Sequence, residues 1–408
     1  MKVNLHIAFI RISIQILYKI YSKKSKHSLL KMITIVDYKP KMGELRLCAN
    51  NNSNILNRYH VIILGQNIMM GTSILTLPQN LSSMGYSQAL MPLLFGIIAS
   101  VNLWQIIWLC SKFPNDNLFR INEILLGKSF GKIINLFLII QFIVFSAGII
   151  SDYMHLIQSS ALQEQTITLP VICFLLILVY IVNGGIKSIA RFSIFSFFLS
   201  IALFYFLHWA IEKGNISHLF PLFNFNTKEF LTAFKEGYLS ILGYELIMFY
   251  FPYIINQKKA FRDSLIGIWI SILLFFFTTA ISIMYYSEWQ LKNVEFSVLN
   301  LFKAGELSFV ERIDIIGITM WVFLILSTVG AYVWCAKKGL DSLLVKRSKY
   351  KLIYIAVIIF CLIKLPLSKE IQTKLIMASN YIGYIVILWP VFLGIIFLLR
   401  RNHIPHGS

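Results

Sequence analysis

Glu245 is the residue whose chemistry fits its surroundings least well, because it lies in the apolar run from 236 to 256. An ionisable group at membrane depth is costly unless a partner or water meets it. It could pair with a bound amine, carry a proton, or hydrogen-bond to Tyr244 or Tyr250 in a helix-packing network. Gly243 and Tyr244 stand immediately before it, and Pro252 follows. A second apolar run, 59 to 82, carries Gly71-Thr72-Ser73 at its centre and Pro78 further on. Where such a helix is interrupted, the amides near Gly71, Thr72 and Ser73 lie at the positive end of the helix that resumes, which suits a carboxylate. Freed carbonyls on the opposing ends suit an ammonium group. Gly71, Thr72, Ser73, Gly243, Tyr244 and Glu245 therefore form the candidate ligand-binding set. The competing account is that Gly and Pro are simply frequent in membrane helices.

Other chemistry is sparse. The chain has no phosphate-binding glycine loop, no carboxylate pair placed for one cavity, no nucleophile elbow and no zinc motif, so neither an enzyme nor a cofactor or metal is expected. Cys48, Cys110, Cys173, Cys335 and Cys361 stand far apart with no CxxC, which argues against a disulfide framework. His155 and His208 read as packed or interfacial, and Lys364 is close enough to a span end to snorkel. Ser146, Ala147 and Gly148 permit close helix approach, while Thr319 and Trp321 either line a pocket or pack.

The elements that must position these residues are membrane helices. Of 408 residues, 57% are hydrophobic and 13% charged, with a mean hydropathy of +0.72; that excludes a water-soluble globular protein, which carries roughly a quarter charged residues. Ten apolar runs can be drawn, at 59 to 82, 88 to 110, 133 to 158, 168 to 184, 192 to 211, 236 to 256, 264 to 287, 313 to 336, 352 to 367 and 376 to 399. The first run of each half is broken at the corresponding place. Inverted repeats have that pattern, so the expected fold is all-α with ten transmembrane helices in a 5+5 arrangement, repeat one at 59–211 and repeat two at 236–399, broken helices 1 and 6 meeting at the midplane.

The net charge of +19 invites a nucleic-acid reading until the charges are placed. On the ten-span layout, 28 of the 37 Lys and Arg fall on one side and 9 on the other. This positive-inside bias places both termini in the cytoplasm and removes the main support for nucleic-acid binding. The loop Asn80 to Ala89 has no charge, and the loop around Asp152 to Thr168 has acids but no bases, as outer loops should. Residues 1–56 form a basic extension outside the permease domain at 57–408. They read either as a surface arm or as a disordered or mis-started segment, with Met32 or Met42 as the true start; no small-residue cleavage site follows, which argues against a signal peptide.

Five stretches together resemble the spore germination permease family: Gly71 to Pro78, Leu169-Pro170, Tyr180 to Ile194, Gly243-Tyr244-Glu245 with Pro252, and Val310-Glu311-Arg312-Ile313 before Trp321. The most specific are the Gly-Ile-x-x-Ile-Ala-Arg stretch ending at Arg191 and the Gly-Tyr-Glu triplet. The likeness runs from about 59 to 400. Members are the B subunits of GerA-type nutrient germinant receptors, a branch of the amino acid, polyamine and organocation transporter superfamily. The resemblance implies a leucine-transporter-type fold and the sensing of a small nutrient, often an amino acid, in the spore inner membrane. It also implies two partners, a membrane A subunit and a C lipoprotein. Tyr59-His60 stands where members often carry a glutamine, and the 56-residue extension is atypical.

Three functions are compatible with this pattern: a receptor subunit gated by a nutrient at the two breaks, an amino acid transporter coupled to protons or sodium through Glu245, and a packing subunit with no ligand of its own. The topology is testable on its own. A membrane-impermeant thiol reagent added from outside should label a cysteine placed at Ser83 and not one placed at Ser348; the reverse pattern overturns the orientation.

Overall fold

The computed structural model describes residues 55–161, 165–220, 223–305, 313–344, 350–364 and 369–400, leaving aside the side chains of 369–378 and 380. The expectations for 1–54, for Val310-Glu311-Arg312 and for Ser348 lie outside the described residues. The chain runs α1 (Arg58–Met70), α2 (Ser73–Asn80), a 3-10 stretch over Ser82–Leu90, α3 (Met91–Lys112), α4 (Leu118–Leu126), α5 (Lys128–Ser160), α6 (Thr168–Asn183), α7 (Gly185–Phe204) and α8 (His208–Lys213). It continues with α9 (Thr227–Gly237), 3-10 turns over Tyr238–Ile241 and Tyr244–Leu246, α10 (Ile247–Tyr250), α11 (Ala260–Tyr285), α12 (Glu288–Asn293), α13 (Ser297–Leu301), α14 (Ile313–Leu343), α15 (Lys351–Lys364) and α16 (Lys369–Arg400). Among the described residues the one extended pairing is an isolated bridge between Leu56 and Ile254.

Among the described residues, six stretches are helical, long and apolar enough to cross a bilayer: Ser82–Lys112, Lys128–Ser160, Gly185–Lys213, Gln257–Tyr285, Ile313–Leu343 and Tyr381–Arg400. The pair α1–α2, bent by 51°, would make a seventh. Within the described residues, the other three apolar runs hold shorter helices. The run at 168 to 184 is the 16-residue helix α6, and the run at 352 to 367 holds the 14-residue α15. The run at 236 to 256 is divided into short helical turns around Gly243. The all-helical membrane architecture follows from the composition, because helices satisfy their own backbone groups where water is absent.

Helices α5 and α14 form the centre. Two thirds of α14's apolar window (67%) and 61% of α5's are buried, against 28% for the stretch containing α7. Apolar side chains also face outward: Ile97, Val101 and Trp104 on α3, Ile133, Leu136 and Ile140 in the first half of α5, and Leu388, Phe392 and Ile395 on α16. Such a belt is stable against hydrocarbon and costly against water.

Polar side chains tie the buried helices to one another. The Ser271 hydroxyl of α11 donates to the Gln66 carbonyl of α1 at 3.0 Å, and Tyr153 of α5 donates to the Ile318 carbonyl of α14 at 2.8 Å. Small residues let these helices approach. Opposite α1, a Cβ added at Gly267 would lie against the Ile62 carbonyl group and 3.4 Å from the Gln66 nitrogen. A Cβ at Gly330 on α14 would meet nothing nearer than 3.8 Å. Gly267→Ala should therefore destabilise the protein by about 1–3 kcal/mol, the usual cost of overpacking. Gly330→Ala should be nearly neutral, a contrast that thermal unfolding in detergent would read directly.

Candidate functional site

Both interruptions occur at glycines with positive φ. Helix α1 stops at Gly71, whose φ of 28° and ψ of −140° are favourable for glycine and strained for residues with a side chain. Helix α2 then starts at Ser73 and carries Pro78, which has no N–H to donate within its helix. At the second interruption Leu242 is extended and Gly243 has φ 127°. A Cβ at Gly243 would lie 3.0 Å from both the carbonyl carbon and the oxygen of Ile68. The second break is therefore pressed against the last turn of α1.

Glu245 is 2% exposed. Its Oε2 accepts from the Gly243 N–H at 2.7 Å, and its Oε1 accepts from the Tyr332 hydroxyl of α14 at 3.3 Å. The Tyr244 hydroxyl accepts from Asn102 Nδ2 of α3 and shares a hydrogen bond with the Tyr238 hydroxyl, each at 3.0 Å. Asn102 Nδ2 also donates to the Ile387 carbonyl of α16 at 3.1 Å. Neighbouring helices thus lock both side chains that follow Gly243.

At the first break, the carbonyls released by the end of α1 find donors on α14. Trp321 Nε1 donates to the Gly71 carbonyl at 3.0 Å, and the Thr328 hydroxyl donates to the Asn67 carbonyl at 2.9 Å. Asn67 Nδ2 donates to the Ser193 carbonyl of α7, and the Ser193 and Ser327 hydroxyls are 2.5 Å apart. Thr72 is buried and Ser73 half-buried; the Ser73 carbonyl accepts from the Thr76 hydroxyl at 3.3 Å. A helix start leaves its first amides without intrahelical acceptors; at α2 the Leu75 N–H donates back to the Thr72 carbonyl at 3.0 Å.

Gly243, Tyr244 and Glu245 thus gather beside the end of α1, and Gly71 is linked to them through α14. Trp321 figured in the sequence as a pocket or packing residue; here it is a donor to the break. Tyr332, Thr328, Asn102, Gln66 and Asn67 escaped sequence reasoning. The adjacent amides Gln66 and Asn67 in an apolar helix were a readable signal, whereas Tyr332 had none beyond its helix register relative to Trp321. The amide oxygens of Gln66, Asn67 and Asn102 are buried with no hydrogen-bond partner among the described residues. Buried acceptors of this kind call for a donor.

No group of three or more His, Cys, Asp or Glu placed to hold a metal occurs among the described residues. A cavity of about 430 Å³ lies elsewhere, lined by Asp152, His155, Gln158, Ser159, Glu295 and Phe296. None of these residues belongs to either break.

Residues 55–371 match the family described as spore germination protein. The chain is 24% identical to the spore germination protein GerQB of Bacillus cereus over 347 residues, which is 85% of this chain and 96% of that protein. It is 23% identical to spore germination protein A2 of Bacillus subtilis strain 168, with the same coverage of the two chains. Against spore germination protein B2 of the same strain the identity is 26%, over 62% of this chain and 70% of the other.

The two glycines should differ in tolerance. Gly243→Ala combines a strained φ with contacts at 2.7 Å to Ile68 Cγ2 and 3.0 Å to its carbonyl, whereas a Cβ at Gly71 meets only Thr328 Cγ2, at 3.6 Å. Gly243→Ala should lower the amount of folded protein recovered from membranes severalfold, and Gly71→Ala should lower it less. Equal recovery would show that Gly243 does not have to approach Ile68 this closely.

Proposed function

The chain belongs to the spore germination protein family, and from that premise we propose that it is the B subunit of a nutrient germinant receptor, binding a small nutrient, an amino acid, between its two broken segments. The observation that carries this reading is Glu245, a buried carboxylate at a glycine break pressed against a second break. An ammonium group is the natural partner for it. The unpartnered amide oxygens of Gln66 and Asn67 on α1 and of Asn102 on α3 favour the same kind of ligand, one rich in donors. The nutrient's carboxylate would take the amides at Gly71, Thr72 and Ser73, where the N-terminal end of α2 favours negative charge. Gly243, Tyr244 and Glu245 would hold the other end.

In this reading the ten apolar runs of 57–408 are ten spans related as a leucine-transporter-type inverted repeat, with helices 1 and 6 broken. Both termini face the cytoplasm, and residues 1–56 form a basic extension to the permease domain. The protein resides in the spore inner membrane with an A subunit and a C lipoprotein as partners. It works by binding and signalling rather than by catalysis. Occupancy shifts the population between two conformations, which requires the nutrient to bind one of them more tightly.

The same buried carboxylate also supports a second reading, an amino acid transporter in which Glu245 carries a coupling proton. One substitution separates the two. Glu245→Gln keeps the shape and an acceptor but loses the charge-assisted bond, so apparent affinity should fall by roughly 1.5–3 kcal/mol, about ten- to a hundredfold. For a receptor, the germination dose curve against a mixture of the standard amino acids moves to higher concentration, and saturation restores the response. For a proton-coupled transporter, concentrative uptake into vesicles is lost at every concentration. A packing role would leave the dose curve in place. The expected result is the shifted curve without sustained uptake; robust concentrative uptake by the purified chain alone would overturn the receptor reading.

A further inference from the structure

One face of α14 is fastened to both breaks. Trp321, Thr328 and Tyr332 are spaced by seven and then four residues, which places them on one side of a helix. Each donates to a different point of the interruption: Trp321 Nε1 to the Gly71 carbonyl at 3.0 Å, the Thr328 hydroxyl to the Asn67 carbonyl at 2.9 Å, and the Tyr332 hydroxyl to Glu245 Oε1 at 3.3 Å. All three side chains are buried.

The three bonds are not equally hard to replace. Two of them satisfy backbone carbonyls that an incoming cation need not touch. The third occupies the carboxylate itself, and at 3.3 Å it is long for an O–H···O contact, whose usual distance is about 2.7–2.8 Å. The other carboxylate oxygen is held more tightly, at 2.7 Å by the Gly243 N–H. A cationic group arriving at Glu245 therefore meets less resistance at Oε1, on the Tyr332 side. The Tyr332 ring stands edge-on to Phe145 at 4.9 Å and tilted against Phe142 at 5.8 Å, both on α5. Phe142 in turn packs edge-on against Phe249 of α10 at 5.2 Å. A displaced Tyr332 would press on α5.

Resting on the ammonium reading of Glu245 above, we propose that Tyr332 is a positioning residue whose hydroxyl occupies Glu245 in the unliganded protein, and that the nutrient's ammonium group displaces it. The displacement releases α14 from the second break while Trp321 and Thr328 keep it on the first. Occupancy of the site is thereby converted into a movement of α14 relative to Gly243.

The test is a double-mutant cycle in spores that carry the full receptor, read as the half-maximal concentration of the mixed standard amino acids. Tyr332→Phe keeps the ring contacts and removes only the competing donor, so the half-maximal concentration should fall about tenfold. In the Glu245→Gln background the same change should shift it less than about threefold, because a neutral amide holds the hydroxyl less tightly. A shift to higher concentration, or an equal shift in both backgrounds, overturns the displacement. If Glu245→Gln alone leaves the curve in place, the ammonium reading fails and the displacement falls with it. If Glu245→Gln moves the curve and Tyr332→Phe does not, only the displacement fails. A second readout needs no change at Tyr332: Cys335, 1% exposed and one turn further along α14, should react faster with a membrane-permeant maleimide when the amino acid mixture is present. An unchanged rate overturns the proposal.

Discussion

Backbone groups at bilayer depth must find partners inside the protein, because the hydrocarbon around it offers none. An unbroken helix meets that demand within itself. Where α1 ends at Gly71 and where the chain turns at Gly243, the ladder stops, and the carbonyls and amides it would have used have to be met from outside. Helix α14 meets much of this need. Its Trp321 and Thr328 take the carbonyls of Gly71 and Asn67, and its Tyr332 takes the carboxylate that follows Gly243. Helix α14 is the most deeply buried of the long apolar helices and packs most extensively on α5 and α7.

The second break also depends on close approach. Gly243 sits so near Ile68 that a side chain there would collide with the α1 backbone, and this contact brings Glu245 to the end of α1. The segments leading away from the breaks are joined at their far ends as well. The Leu56 N–H donates to the Tyr253 carbonyl at 2.8 Å, and the Ile255 N–H to the Leu56 carbonyl at 3.1 Å. Arg58 lies 3.1 Å from Asp263, which also pairs with Arg262. Because both arginines are half exposed, these pairs contribute little to stability. Their effect is geometric, setting the entry of α1 against the exit of the second broken segment. Helix α1 and the stretch after Gly243 thus touch at both ends, through Ile68 at the break and Leu56 at the far end.

The position of Glu245 is the costly element in this arrangement. A carboxylate withdrawn from water is tolerated when hydrogen-bonded, and Gly243 and Tyr332 supply donors to its two oxygens. Three amide oxygens on the neighbouring helices, those of Gln66 and Asn67 on α1 and Asn102 on α3, have no donor among the described residues. A site that is satisfied at its one charge yet short of donors around it is suited to exchange a neutral hydroxyl for a cation.

The amino-acid sequence by itself determined that the chain is a membrane protein and where its helices are interrupted. Apolar length and the steric freedom of glycine act locally and can be read residue by residue. The triplets Gly71-Thr72-Ser73 and Gly243-Tyr244-Glu245 were legible for that reason, and so was the family likeness. The lengths of the crossings were less legible, since hydropathy marks an apolar run at 236 to 256 whether it forms one helix or several short turns. Which donors satisfy the breaks was decided only by tertiary structure. Trp321, Thr328 and Tyr332 are separated from Gly71 and Asn67 by about 250 residues of chain, and Tyr332 reaches Glu245 across 87. Hydrogen bonds of that kind depend on how helices pack and rotate about their axes, which no local pattern of residues encodes.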